Sequence, residues 1–195
     1  MRVNAELQAA AHEFARYMAR TGKVSHTADG RQPAERAAEQ GYDYCIVSEN
    51  IAYHFRSGGY ASAAALAGEL VEGWKHSPEH RKNMVDSAVT QTGTGVARDE
   101  AGRYFAVQMF GRPKSASIRF EVENRSGETI EYRAGERRLS LDPRVSRTHA
   151  VCRPLEVVIQ RPGESGPFRA RPVDGARYTV TAEGVRAYRA RSDSR

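Results

Sequence analysis

The sequence predicts an α+β first half followed by a β-only second half, on three observations. Apolar residues recur at helical spacing between Leu7 and Trp74. The period drops to two between Gly93 and Gly111. Beyond Pro113 the helical pattern does not return, and short alternating stretches are divided by turn signals. The expected division is one domain over residues 1–112, a linker over 113–116 and an Arg-rich β domain over 117–195. With 39% hydrophobic and 28% charged residues, the composition is that of a globular chain, not a disordered one.

The first helix is expected over residues 5–21. Leu7, Ala11, Phe14, Ala15 and Met18 form its buried stripe, Gly22 stops it, and His12 falls off the stripe onto the surface. Met1 leads straight into the polar helix start Arg2-Val3-Asn4, with no signal peptide ahead of it. Lys23-Val24-Ser25-His26 then reaches the Asp29-Gly30 turn, and a short helix spans about Pro33 to Gln40. Ser48-Glu49-Asn50-Ile51-Ala52 follows a loop, and Ser57-Gly58-Gly59 breaks the chain again.

The next helix carries Ala63, Leu66, Ala67, Leu70, Val71 and Trp74 on one face, which buries Trp74 between helix and sheet. It enters the stretch W-K-H-S-P-E-H-R-K-N-M, residues 74–84. Ser77 caps a further helix through its hydroxyl, and Pro78 fits the first helical position. His80 thus falls in the first turn, where the positive end of the helix favours a neutral imidazole. Gly93–Arg98 and Arg103–Gly111 pair as a hairpin about Asp99-Glu100-Ala101-Gly102. Tyr104, Ala106, Gln108 and Phe110 share one face of its second strand, and Phe105, Val107 and Met109 share the other. Both faces are largely apolar, so helices are expected on both sides of a small antiparallel sheet.

Gly111-Arg112-Pro113-Lys114-Ser115 reads as the linker. After it, Ile118–Val122, Ile130–Tyr132, Arg138–Leu141, His149–Cys152, Leu155–Gln160, Phe168–Arg171, Arg177–Thr181 and Val185–Arg189 are strand candidates. Turn signals fall at Asn124-Arg125-Ser126-Gly127, Asp142-Pro143, Arg161-Pro162-Gly163 and Asp174-Gly175. Short strands at this spacing predict a small antiparallel β-sandwich. It holds no chemical constellation; His149 and Asp142 stand isolated in the sequence.

Charge is placed unevenly. Residues 1–113 balance 13 Lys and Arg against 13 Asp and Glu, whereas residues 114–195 carry 17 against 11 and account for the whole net charge of +6. Such a half suits an anionic surface, whether lipid, wall polymer or nucleic acid, although no nucleic-acid-binding motif accompanies the arginines. No apolar stretch approaches the roughly 20 residues that span a bilayer. Cys45 and Cys152 belong to no C-x-x-C pair. They form one long-range disulfide in an oxidising compartment, or remain two buried thiols; the sequence leaves both open.

Ser25-His26, Glu49-Asn50-Ile51-Ala52, Trp74 to Met84 with His80, and Gln108-Met109-Phe110-Gly111 occur in this order along the chain. Over residues 3–112 the set resembles the CAP superfamily of cysteine-rich secretory, antigen-five and pathogenesis-related proteins, and within it the short bacterial SCP-like branch. The resemblance implies a three-layer α-β-α sandwich with a central cleft, here without the family's first helix. It implies a secreted or cell-envelope protein, extracellular or periplasmic. The absent helix and signal peptide then point to a shortened piece or to a start placed too late.

In that family two histidines and two acidic residues meet in the cleft, and the histidines can hold a divalent metal, often zinc. His26 matches the first histidine, His80 the second, and Glu49 the first acid. Where larger relatives have the second acid stands Ser77, with Glu72 and Glu79 as the nearest substitutes. Asn50, Tyr53, His54 and Ser77 are expected to line the cleft, whose ligand would be a lipid, a peptide or a wall polymer. Tyr53, His54 and Phe55 would give it an apolar wall. Two imidazoles and a carboxylate can bind metal, act as a base, or form a structural network. A metal-assisted hydrolase using His26, Glu49 and His80 is the rival reading. A structural or weak metal-binding role ranks above hydrolysis, because the sequence offers no recognisable nucleophile or oxyanion site and neither H-E-x-x-H nor G-x-S-x-G occurs.

Overall fold

Asn4 and Gly22 set the first element of the fold. The Asn4 side chain accepts the Leu7 amide at 2.8 Å, and Gly22 closes the helix at φ 70° with its amide on the Met18 carbonyl. The computed structural model describes residues 1–161 and 166–189. Contacts divide the chain into two units, Met1–Ala116 and Ser117–Arg195.

The first unit runs β1 (Arg2–Val3), α1 (Ala5–Thr21), α2 (Pro33–Glu39), β2 (Tyr44–Phe55), α3 (Ala63–His76), α4 (Pro78–Met84), β3 (Gln91–Arg98) and β4 (Arg103–Pro113), and ends in a 3₁₀ turn at Lys114–Ala116. Its sheet has the order β1-β3-β4-β2. Arg2–Val3, expected as a helix start, instead pairs in parallel with β3, so the sheet is mixed. α1 and α2 cover one face, where Leu7, Ala11, Phe14, Ala15 and Met18 meet Phe105, Val107 and Met109. On the other face Leu66, Leu70 and Trp74 of α3 meet Ala106. The alternation of β4 therefore serves two cores, as expected for an α-β-α sandwich. The α3 seam is narrower than its sequence stripe: Ala63 and Ala67 are exposed.

Close approach of α1 to the sheet depends on two glycines of β3. A Cβ on Gly93 would lie 2.2 Å from the Gln8 amide nitrogen, and one on Gly95 2.3 Å from that of His12. Gly111 has a similar reason: a Cβ there would lie 2.5 Å from the Tyr42 hydroxyl oxygen. The sequence places Gly111 at the start of a linker. In the structure it is the floor under Tyr42, β4 continues to Pro113, and the Lys114 amide bonds the Asp43 carbonyl at 2.9 Å.

The second unit is two four-stranded sheets around one core. They comprise β5 (Ile118–Arg125), β6 (Ile130–Ala134), β7 (Arg137–Leu141), β8 (Ser146–Val151), β9 (Val157–Gln160), β10 (Phe168–Ala170), β11 (Ala176–Thr181) and β12 (Gly184–Tyr188). The orders are β10-β9-β6-β7 and β12-β11-β5-β8. β5 and β11 pair in parallel, which corrects the expectation of a purely antiparallel sandwich. The strands lie far apart along the chain, Ala176 pairing with Phe120, so no tight hairpin fixes their direction. Phe120, Val122, Tyr132, Val157, Ile159, Tyr178 and Val180 fill the interior. Of the turn signal Arg161-Pro162-Gly163, the last two residues lie outside the described residues. Cys45 and Cys152 are both disulfide-bonded, which removes the alternative of free thiols.

Candidate functional site

β2 is the open edge of the first sheet, and the site is built across that edge from both faces. Alternation along β2 sends Glu49 toward the α1 and α2 face and Asn50 toward the α3 and α4 face, since they pair with Met109 and Gln108 of β4. Both are buried. Sequence pattern places this stretch after a loop and gives no sign of the twelve-residue strand that it forms.

The buried carboxylate of Glu49 is fully engaged. His26 Nδ1 lies 2.8 Å from Glu49 Oε1, and Arg36 Nη2 reaches both oxygens, at 3.0 and 2.8 Å. The same guanidinium donates to the His26 carbonyl at 2.8 Å, to Asp29 at 2.8 Å and to the Arg31 carbonyl at 2.8 Å. Its central carbon sits 3.6 Å from the centre of the Phe14 ring. Arg36 therefore organises the loop that carries His26 and ties it to β2. Burial raises the Asp29 carboxyl, but the Arg31 amide and the charges of Arg36 and Arg31 outweigh it and hold Asp29 below its ordinary range.

On the other face two asparagines fasten α4 to β2. Asn50 Nδ2 donates to the His80 carbonyl at 3.1 Å, and Asn83 Nδ2 donates to Asn50 Oδ1 at 2.9 Å and to the Glu49 carbonyl at 3.3 Å. Trp74 Nε1 donates to the Ile51 carbonyl at 3.3 Å. Side chains thus occupy carbonyls along the open edge of β2, which blunts it as a template for another strand.

His80 is half-buried and its pKa is lowered, first by burial and then by the charge of His26, with Glu79 opposing. The sequence assigns this effect to helix position; desolvation is the larger cause. Below an ordinary value of 6.5 the unfolded chain takes the proton first, so stability is expected to fall as pH drops through and below about 6.5. An NMR titration of the His80 ring should give a midpoint under 6.5; one at or above it would contradict the burial.

His26, Glu49 and His80 are thus brought to one edge. The remaining residues divide. Ser77 begins α4 but makes no side-chain cap bond, so the expected hydroxyl cap is corrected. Tyr53 and His54 point to opposite faces of β2, which prevents them from lining one cleft wall. Tyr53 and Phe55 are exposed on the Glu49 face. His54 joins a separate network, 2.6 Å from the Tyr60 hydroxyl, which donates to Glu69 at 3.1 Å. Glu72 pairs with Lys75 at 2.6 Å on an exposed helix face and does not enter the site. Among the described residues no three His, Cys, Asp or Glu side chains are grouped to hold a metal ion. With both of its oxygens engaged by Arg36 and His26, Glu49 is not free to join a metal shell.

Sequence reasoning missed Arg36. It sits in a short Ala-rich helix whose pattern gives an arginine no reason to be buried, and only its neighbours in space reveal its role.

Residues 1–110 match the family described as CAP: Cysteine-rich secretory protein family. Among solved structures, the fold is similar to an outer surface protein from Borrelia burgdorferi, with a TM-score of 0.51 and 18% identity, over 58% of this chain and 78% of that one. An extracellular protein containing an SCP domain from Bacillus anthracis str. Ames gives a TM-score of 0.47 at 22% identity, over 57% of this chain and 33% of that longer one. No curated protein matches the chain.

Proposed function

The chain belongs to the cysteine-rich secretory protein (CAP) family, and from that premise we propose that its first unit is a non-catalytic binding module of the bacterial cell envelope or exterior. The ligand class is a divalent metal or a small polar ligand taken by His26 and His80. One observation carries this reading: both oxygens of Glu49 are occupied, by Arg36 and by His26. A carboxylate so held orients an imidazole and is not a free general base. Glu49 is thus kept from acting as a base itself, and any base chemistry at this edge would fall to the His26 ring that it orients.

With His26 Nδ1 turned to Glu49, its other ring nitrogen is left for a ligand. His80, kept neutral by burial, is the second donor. A bound zinc would supply Lewis acidity and complete its shell with water, since two imidazoles make only half of a tetrahedral set. The exterior location is supported by the oxidised cysteines and by similarity to a protein described as an outer surface protein. No helix among the described residues is long and apolar enough to cross a membrane. The Arg-rich second unit is proposed as the contact to an anionic surface.

Isothermal titration with Zn²⁺ tests the metal reading. Wild type should bind weakly through its incomplete shell, and His26→Ala or His80→Ala should each abolish the heat. Equal heats in all three proteins would remove the metal from the site.

A further inference from the structure

We propose that the edge of the second unit between β7 and β8 is a binding site for a phosphate-type oxyanion, held by Arg137 and Arg147 over His149. These strands are edge members of the two different sheets, and the Tyr132–His149 and Asn124–Leu141 contacts bring this side of the two sheets together. Leu139, Leu141 and Val151 keep part of the inward side of this edge apolar. Its other inward positions are Arg137, opposite buried Ala134, and Arg147 and His149, opposite buried Val122 and Phe120.

The floor of this site is ordered. His149 stacks on Phe120, with ring centres 4.6 Å apart and planes within 14°. Its Nε2 lies 2.9 Å from the hydroxyl of Tyr132, which is 2% exposed and meets the imidazole edge-on. Arg147 acts on the same hydroxyl, and the charges of Arg147 and Arg137 both bear on the His149 ring. Burial comes first, and the two arginines add to it, in keeping His149 neutral. Tyr132 thus shares one hydrogen bond with the neutral ring, and its oxygen also accepts from Arg147.

Both arginines bear on the His149 ring, and neither is held by an acid among the described residues. Arg125, Arg169, Arg177 and Arg186 in this unit each pair with a glutamate, but neither Arg137 nor Arg147 forms an ion pair among the described residues. Two guanidinium forks and no carboxylate suit an anion with several oxygens and more than one charge. A tetrahedral phosphate, free or on a polymer or lipid headgroup, has that chemistry.

This inference gives a location to the anionic contact proposed for the second unit, and rests on that reading. The test follows the His149 ring resonances of the full chain by NMR during titration with inorganic phosphate, then with phosphatidylglycerol vesicles. Phosphate should shift them saturably and raise the His149 pKa, because a neighbouring anion favours imidazolium. Arg137→Ala and Arg147→Ala should each weaken phosphate binding about tenfold. Arg177→Ala, which removes an arginine already paired with Glu121, should leave it unchanged. No response to phosphate, or an equal response in the Arg137 and Arg147 variants, would overturn the site. Vesicle binding with His149 unmoved by either probe would overturn the site while sparing the broader surface reading; absence of any response to phosphate and to vesicles would end both.

Discussion

Arg36→Met is expected to destabilise the first unit by about 3–5 kcal/mol, because it strands a buried charge whose partner has gone. Glu49 is 5% exposed and Arg36 3% exposed, so water cannot replace the lost donors. The same substitution frees Asp29 and the carbonyls of His26 and Arg31, each of which accepts from this guanidinium. Arg36→Lys should recover little, since one ammonium cannot span those acceptors or lie flat on Phe14. Adding Glu49→Gln to Arg36→Met should restore part of the loss by removing the charge itself. Urea unfolding of the three variants measures this. A change below about 0.5 kcal/mol for Arg36→Met would mean that the buried network contributes nothing net.

Gly95→Ala is expected to cost about 3 kcal/mol, at the upper end for overpacking. The added methyl carbon would lie 2.3 Å from the His12 nitrogen and 2.5 Å from the Ala11 carbonyl oxygen. These are backbone atoms, so relief requires moving α1, and with it the contacts of Leu7, Ala11, Phe14 and Met18. The same change at Gly73, inside α3 with nothing within 4 Å of the new carbon, should instead stabilise by about 0.5–1 kcal/mol through helix propensity. Opposite signs in the two melting temperatures are the expected outcome. Equal shifts would show that the helix–sheet distance tolerates a side chain.

These two residues mark the limits of reading the sequence. Gly95 has the look of an ordinary strand residue, yet it sets how near a helix may come. Arg36 has the look of a solvated position on a small helix, yet it is the hub of the site. Ser48-Glu49-Asn50 carries polar residues of low strand propensity, which hide β2. Their cost is met by partners on other elements, invisible to any local pattern. By contrast α1 is legible from Asn4 to Gly22, and the strands of the second unit fall close to their expected positions, because caps, turns and period-two alternation are local.

The sequence by itself determined where most helices and strands form, which faces of β4 are apolar, and that His26, Glu49 and His80 are the residues to follow. Only the tertiary structure decided what Glu49 does. A carboxylate is a base, a ligand or a strut according to what occupies its lone pairs, and Arg36 reaches it across thirteen residues of chain through a fold that no short window contains.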